Sequence, residues 1–272
     1  MRDQGPVSRV RRIALFSDVH GNLPALDAVL ADIDASATDS IFCLGDLVGY
    51  GPDPAGVIEC IRERAIPTIQ GNYDEGIGQR RGECGCYYAT EQARLDGAAS
   101  YEFTEAVLND VDHEWLARLP QEIRLEHAGV RLLLAHGSPR KNNEYLLPDR
   151  SDDQLRRLAE SAESDVVCIG HVHVPYHRTL AGSRGQLHYV SSGSVGKPKD
   201  GDPRACWVEL LIGSEPAVRE AAAEDSACAL AGTTDTWVGF TLHHVAYDIA
   251  SVQAHMAQVG LPLSLAEALA RG

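Results

Sequence analysis

Five short polar segments, each closing a predicted strand, constrain this chain more than any other feature. They are Asp18-Val19-His20, Gly45-Asp46, Gly71-Asn72-Tyr73-Asp74, His136-Gly137 and Gly170-His171-Val172-His173. A single Asp-x-His or His-x-His pair would carry little information, because such pairs arise by chance and are usually solvated. Five in series call for a fold that gathers strand ends at one edge, where the side chains meet.

The residue types indicate the chemistry. Carboxylate and amide oxygens mixed with imidazole nitrogens suit manganese, iron, zinc or magnesium-like ions, whereas an all-thiolate set would indicate structural zinc. Seven ligands hold two ions if one carboxylate bridges them, and Asp46, alone on its segment, is the natural bridge. Two ions roughly 3.5 to 4 Å apart clamp the attacking and leaving oxygens of an in-line displacement at phosphorus. The expected chemistry is phosphoester hydrolysis.

In order and composition the segments resemble D-x-H, G-D, G-N-H-D, H-G and G-H-x-H of the calcineurin-like metallophosphoesterases. The likeness is to their small prokaryotic branch of phosphodiesterase-like and dinucleoside-polyphosphatase-like proteins. It extends to Gly45-Asp46-Leu47-Val48-Gly49-Tyr50-Gly51-Pro52, His136-Gly137-Ser138-Pro139 and Gly193-Ser194-Val195-Gly196, over about residues 12 to 272. The resemblance implies an α/β fold of two packed mixed β-sheets flanked by helices, an αββα sandwich. It also implies two divalent ions per chain, with manganese expected and iron, zinc, nickel or magnesium as alternatives. Asp18, His20, Asp46 and His173 would hold the first ion, and Asp46, Asn72, His136 and His171 the second. A hydroxide bridging the ions is the implied nucleophile, with Asn72 stabilising charge on the phosphoryl oxygens.

Asn72, Tyr73, Asp74 and His136 form the implied catalytic group, and Tyr73 departs from the pattern because the family usually has His there. Asp74, which steadies that His in the family, is read as an orienting acceptor rather than a ligand. A Tyr hydroxyl, with an ordinary pKa of about 10, stays protonated and donates a hydrogen bond, but it is a poorer proton donor to an alkoxide than an imidazolium. Its other reading is an aromatic wall of the cleft. Lys199, in the Gly-rich loop 193–201, is read as a contact to a substrate phosphate, with a solvated loop lysine as the alternative.

Length and composition bound the rest. A chain of 272 residues, 44% hydrophobic, suits one large domain, taken as 11–272 after a leader at 1–10. A formal net charge of −15 argues against nucleic acid or an anionic membrane as partner, so the expected partner is a small phosphorylated substrate. No apolar run reaches membrane-spanning length and Met1 to Val10 has no apolar core, so the expected location is the cytoplasm. Arg9, Arg11 and Arg12 are read as part of a solvated leader. Seven cysteines, with Cys43, Cys168 and Cys206 in apolar runs, read as reduced core residues; Cys84 and Cys86 stand apart as a metal-binding or redox pair that lacks a second Cys pair to complete a zinc site.

Local patterning predicts strands at Ile13–Ser17, Ile41–Leu44, Ile66–Ile69 and Val166–Ile169, and a hairpin of Glu122–His127 and Val130–Ala135 turning at Ala128-Gly129. Helices are expected after Asn22, Asp53, Ser151 and Asp248, with a last short one from Ser264. Residues 75–120 read as a helical insertion, Gly-rich at first, helical through Thr90 to Asn109, with Asp112 capping a short helix. Gln186–Ser191, Ala205–Leu211 and Trp237–Val245 are taken as strands of a second sheet. Residues 213 to 235 fit no period, and the C-terminal helices 248–272 serve as core packing or as a homo-oligomer surface. Two rival functions are a non-catalytic scaffold of the same fold and, less favoured by the acidic charge, a nuclease.

Overall fold

The strand β1 (Arg11–Phe16) sends Ile13 and Leu15 to one side and Ala14 and Phe16 to the other, and all four are buried. A strand without a solvent face needs a layer on each side. In the computed structural model, which describes residues 10–221, 227–229 and 236–272, helices cover one side and a second sheet the other.

Helix α1 (Leu23–Ala35) starts at Asn22, whose side chain accepts the Ala25 N–H at 3.2 Å, with Pro24 in the first turn. Strand β2 (Ser40–Cys43) runs parallel to β1, and Asp53 caps α2 (Pro54–Glu63) by accepting from the Gly56 N–H. The expected strand at Ile66–Ile69 is reduced to one bridge between Cys43 and Thr68. Cys43 donates to the Pro67 carbonyl and Ile69 to the Cys43 carbonyl, but Pro67 has no N–H and the chain then leaves for the site.

Three helices follow: α3 (Asn72–Gly78), α4 (Glu91–Val107) and α5 (Asp110–Ala117). Thr90 caps α4 as expected, but Asn109, not Asp112, caps α5, its side chain accepting from Val111 and Asp112. Asp112 lies inside the first turn, 3.6 Å from Arg62. The hairpin β3 (Glu122–His127) and β4 (Val130–Ala135) turns at Ala128 and Gly129, both with left-handed φ (51° and 80°), the geometry of a type I′ turn. Next come α6 (Asp152–Ser161), β5 (Val166–Ile169), and a second hairpin of β6 (Pro175–Gly182) and β7 (Gly185–Ser192). The chain closes with β8 (Ala205–Ser214), α7 (Glu215–Ala221), β9 (Ala227–Ala229), β10 (Thr236–Val245), α8 (Ile249–Gln258) and α9 (Leu263–Leu269). Parts of the unassigned 213–235 stretch are thus β8, α7 and β9; the remainder, like residues 1–9 of the expected leader, lies outside the described residues.

One sheet has the order β2-β1-β8-β10-β9 and the other β3-β4-β5-β7-β6, each mixing parallel and antiparallel pairs. The αββα expectation holds, but not the strand assignment: of the three later runs only β7 lies in the second sheet, while β8 and β10 join β1. Ala205 to Gly213 are buried throughout, so periodicity in β8 has no solvent face to reveal its partner. Ile13, Leu15, Val208 and Leu210 meet Leu132, Leu134, Val166 and Val190 between the sheets. Helices α1 and α2 pack on the outer side of the first sheet and α6 on that of the second. Arg11 and Arg12 belong to β1 rather than to a leader, because Arg12 reaches the buried Glu209 of β8, donating to both carboxylate oxygens at 2.8 Å. No helix among the described residues is long and apolar enough to cross a membrane.

Candidate metal centre

The ligand segments lie where the two sheets end side by side. Asp18 and His20 follow β1, Asp46 follows β2, Asn72 opens α3, His136 follows β4, and His171 and His173 follow β5. They therefore come from both sheets rather than from a single one. Asp18, His20, Asp46, His171 and His173 all have left-handed φ, between 49° and 64°. A non-glycine residue held there costs about 1 to 3 kcal/mol, a strain that collects at this one edge of the molecule.

The side chains form two buried triads, Asp18–His20–His173 and Asp46–His136–His171, with candidate ligand atoms in each lying within 4.8 Å of one another. Backbone carbonyls set the ring orientations. His20 donates Nδ1–H to Val48 O at 2.9 Å, His136 to Leu44 O at 2.7 Å, and His173 to Lys197 O. A neutral imidazole carries one N–H, so the Nε2 atoms of His20 and His173 are lone pairs facing the site. Those of His20 and His173 stand 3.3 Å apart, and His173 Nε2 lies 3.1 Å from Asp18 Oδ1, a buried oxygen without a hydrogen-bond donor. Acceptors facing acceptors at this range need a cation between them, and the donor set fits a divalent one.

Burial drives the His20 and His171 pKa values down to about 3. His136 goes the other way: burial opposes its charge, but attraction and hydrogen bonding from Asp46 outweigh it and lift the ring to about 10. In the absence of metal, a proton on His136 thus offsets the Asp46 carboxylate. Asp46 divides its oxygens, Oδ1 accepting the Tyr73 N–H at 2.8 Å while Oδ2 lies 3.3 Å from His136 Nε2 and 3.8 Å from His20 Nε2. Asp74 accepts three backbone N–H groups, from Gly71, Asp46 and Leu47, at 2.8 to 2.9 Å. It ties the start of α3 to the Asp46 loop. Gly71 must be bare for this, since a Cβ there would stand 2.1 Å from Asp46 Oδ1.

Asn72 turns Oδ1 to His136 Nε2 at 3.2 Å, its Nδ2 donating to Cys84 O and Cys86 Sγ. Tyr73 is buried with its hydroxyl 3.4 Å from that of Tyr88, and its ring packs against His20 and Tyr50. Lys199 is exposed at the rim, where its surroundings lower its pKa while Asp18 and Asp46 work against that shift. Sequence reasoning missed Tyr145, whose ring centroid lies 4.1 Å from that of His171, and Lys197, whose amine lies 4.6 Å from the Tyr50 ring centre. Neither belongs to a ligand segment. Helix α3 was missed as well, although Gly71 followed by Asp74 at the third helical position is a start signal.

The family model of the calcineurin-like phosphoesterase superfamily domain matches residues 12–211. The chain belongs to that superfamily. It is a phosphoesterase of a metal-dependent family. Its sequence is 32% identical, over 72% of this chain and 80% of the other, to an uncharacterized protein of Methanocaldococcus jannaschii. It is 26% identical to the phosphodiesterase YfcE of Escherichia coli strain K12, over 71% of this chain and 83% of that one. Among solved structures, a metallophosphoesterase from Sphaerobacter thermophilus aligns over 97% of this calcineurin-like chain and all of its own, with a TM-score of 0.68 and 30% identity.

Proposed function

We propose that this phosphoesterase hydrolyses phosphodiesters or nucleotide-like phosphate esters in the cytoplasm, using two divalent ions per chain, manganese being the expected ion. The supporting observation is the position of Asp46, whose Oδ2 faces His136 of one triad and His20 of the other. Asp18, His20, Asp46 and His173 would hold the first ion, and Asp46, Asn72, His136 and His171 the second. Bound there, the ions supply Lewis-acid charge and an acidified water as nucleophile.

The chain's own residues do the rest. Asn72 and His136 orient the reacting phosphoryl group, and Asp74 holds Asn72 and Asp46 in register through the three backbone N–H groups it accepts. Lys199 meets a substrate phosphate at the rim. Tyr73 remains a neutral donor, burial raising its hydroxyl well above the usual 10. In this proposal the helical stretch 75–120 and the helices of 248–272 belong to one catalytic unit with the sheets.

The test is elemental analysis after reconstitution with manganese, paired with turnover of bis(p-nitrophenyl) phosphate, nucleotide diesters and dinucleoside polyphosphates with and without chelator. Two manganese ions per chain and chelator-sensitive turnover are expected. Protein that takes up no metal and cleaves none of these esters would be a scaffold instead.

A further inference from the structure

The loop between α3 and α4 carries Cys84-Gly85-Cys86, joined as a disulfide with the Cα atoms 5.4 Å apart. This loop touches a candidate metal ligand. Asn72 Nδ2 donates to Cys84 O at 3.1 Å and to Cys86 Sγ at 3.1 Å. A side-chain amide has two N–H hydrogens, so these contacts use both and leave Oδ1 as the atom offered to the second triad, 3.2 Å from His136 Nε2. The disulfide loop thereby decides which end of Asn72 faces the metal centre.

Cys86 is half-buried and gives access to the pair, while Cys84 lies beneath it. A cleft of about 360 Å³, bounded by Glu83, Cys84, Cys86, Tyr88 and Tyr101, opens beside them. Cys43, Cys168 and Cys206 are buried without such a partner, their thiol pKa values pushed up by burial. Gly85, between the two cysteines, has a left-handed φ of 67°, so the turn rests on a backbone that only glycine adopts without cost.

We propose that Cys84 and Cys86 form a redox-sensitive positioning element for Asn72, which as a disulfide holds the amide oxygen toward the second triad and as a dithiol releases it. The proposal rests on the reading of Asn72 as a ligand of the second ion. On oxidation two S–H bonds break and one S–S bond forms. The two electrons and two protons pass to a peroxide, which becomes two waters if it is hydrogen peroxide. Reduction by a dithiol returns them through exchange and leaves that dithiol as its own disulfide. Once reduced, Cys86 bears an S–H and is no longer tethered to Cys84, so Nδ2 loses a fixed acceptor.

The experiment uses the full chain, stripped of metal and either oxidised with hydrogen peroxide or reduced with a phosphine, the reagent being removed each time. Free-thiol titration gives the redox state, and manganese titration followed by electron paramagnetic resonance gives the affinity of each ion. Loss of a group that only orients a ligand typically weakens metal binding about 10- to 100-fold, so the reduced form should bind its second ion at least about 10-fold more weakly, with the first little changed. Hydrolysis of bis(p-nitrophenyl) phosphate at limiting manganese should fall in parallel and recover at excess manganese and on reoxidation. The Cys84→Ser/Cys86→Ser variant should stay at the reduced level under both treatments, and Asn72→Ala should bind the second ion weakly in both. Reversible cycling of the wild type keeps the test independent of how the variants fold. Equal manganese affinities in two states with different thiol titres would overturn the proposal, as would a thiol titre that peroxide leaves unchanged. Protein that binds manganese and hydrolyses the ester in neither state overturns the dinuclear reading, and this proposal with it.

Discussion

His20 and His173 direct their Nε2 atoms at each other across 3.3 Å, each ring having donated its Nδ1–H to a backbone carbonyl. The fold thus holds two lone pairs against one another, and Asp18 Oδ1 adds a third acceptor 3.1 Å from His173. A bound cation relieves that repulsion in the native state and has no equivalent site in the unfolded chain.

Manganese should therefore raise the melting temperature. At a hundred-fold excess over its Kd a ligand adds about 2.7 kcal/mol, which for a chain of this size corresponds to roughly 5 to 10 °C. Thermal melts with manganese and with chelator check this, and coincident curves would contradict it. Asp46→Asn should lose most of the shift and more than about 100-fold in turnover, since changes that merely orient a ligand already cost 10- to 100-fold.

Gly71→Ala separates steric from conformational causes. Gly71 has an ordinary φ of −81°, so alanine meets no backbone strain there, but its Cβ would stand 2.1 Å from Asp46 Oδ1 and 2.2 Å from Asp46 N. Overpacking of this kind costs about 1 to 3 kcal/mol, and here it would displace Asp46, whose Oδ2 lies between His136 of one triad and His20 of the other. A lower melting temperature and weaker manganese binding are expected together. Unchanged manganese affinity would show that the Asp46 loop shifts without consequence.

What the sequence revealed follows from the range of the interactions concerned. Asn22, Asp53 and the Ala128-Gly129 turn act on residues at most a few positions away, so their elements were legible. The ligand segments were legible because metal chemistry restricts residue types. Sheet membership was not, since β8 is buried on both faces and its ladder with β1, like the contact of Arg12 with Glu209, joins residues far apart along the chain. Nor was the grip of Cys84 and Cys86 on Asn72, or the packing of the Tyr145 ring against His171, because neither leaves a periodic or spacing signal.

Away from the site, His177 supplies a pH dependence. Half-buried, with Nε2 2.9 Å from His188 Nδ1 and its ring stacked on Phe240, it has its pKa lowered by burial to about 4. The unfolded chain, with His near 6.5, binds the extra proton first, so the neutral ring's contribution to stability is fully present above pH 6.5 and is lost as pH falls toward 4. In metal-free protein, His177→Gln should flatten the decline across that window. Urea melts from pH 7 to 4 measure it, and parallel profiles for the two proteins would refute the assignment.

Tyr73 bears on leaving-group chemistry. Its hydroxyl is buried, lies 3.4 Å from that of Tyr88 and is held well above its usual pKa by burial, so it stays protonated and is a weak acid toward a departing alkoxide. If protonation limits the reaction, aryl esters with low-pKa leaving groups should be cleaved much faster than alkyl esters. Tyr73→His should narrow that gap, because a positioned proton donor is typically worth about 10² to 10⁴ in rate and helps poor leaving groups most. Tyr73→Phe should change aryl turnover little. The measurement is kcat/KM across a leaving-group series for the three proteins at saturating manganese. A wild type indifferent to leaving-group pKa, with Tyr73→Phe nearly inactive throughout, would instead make the hydroxyl a direct participant. Tyr73→His matching the wild type on alkyl esters would mean that the imidazole, confined against Gly49 and Tyr50, cannot reach the leaving oxygen.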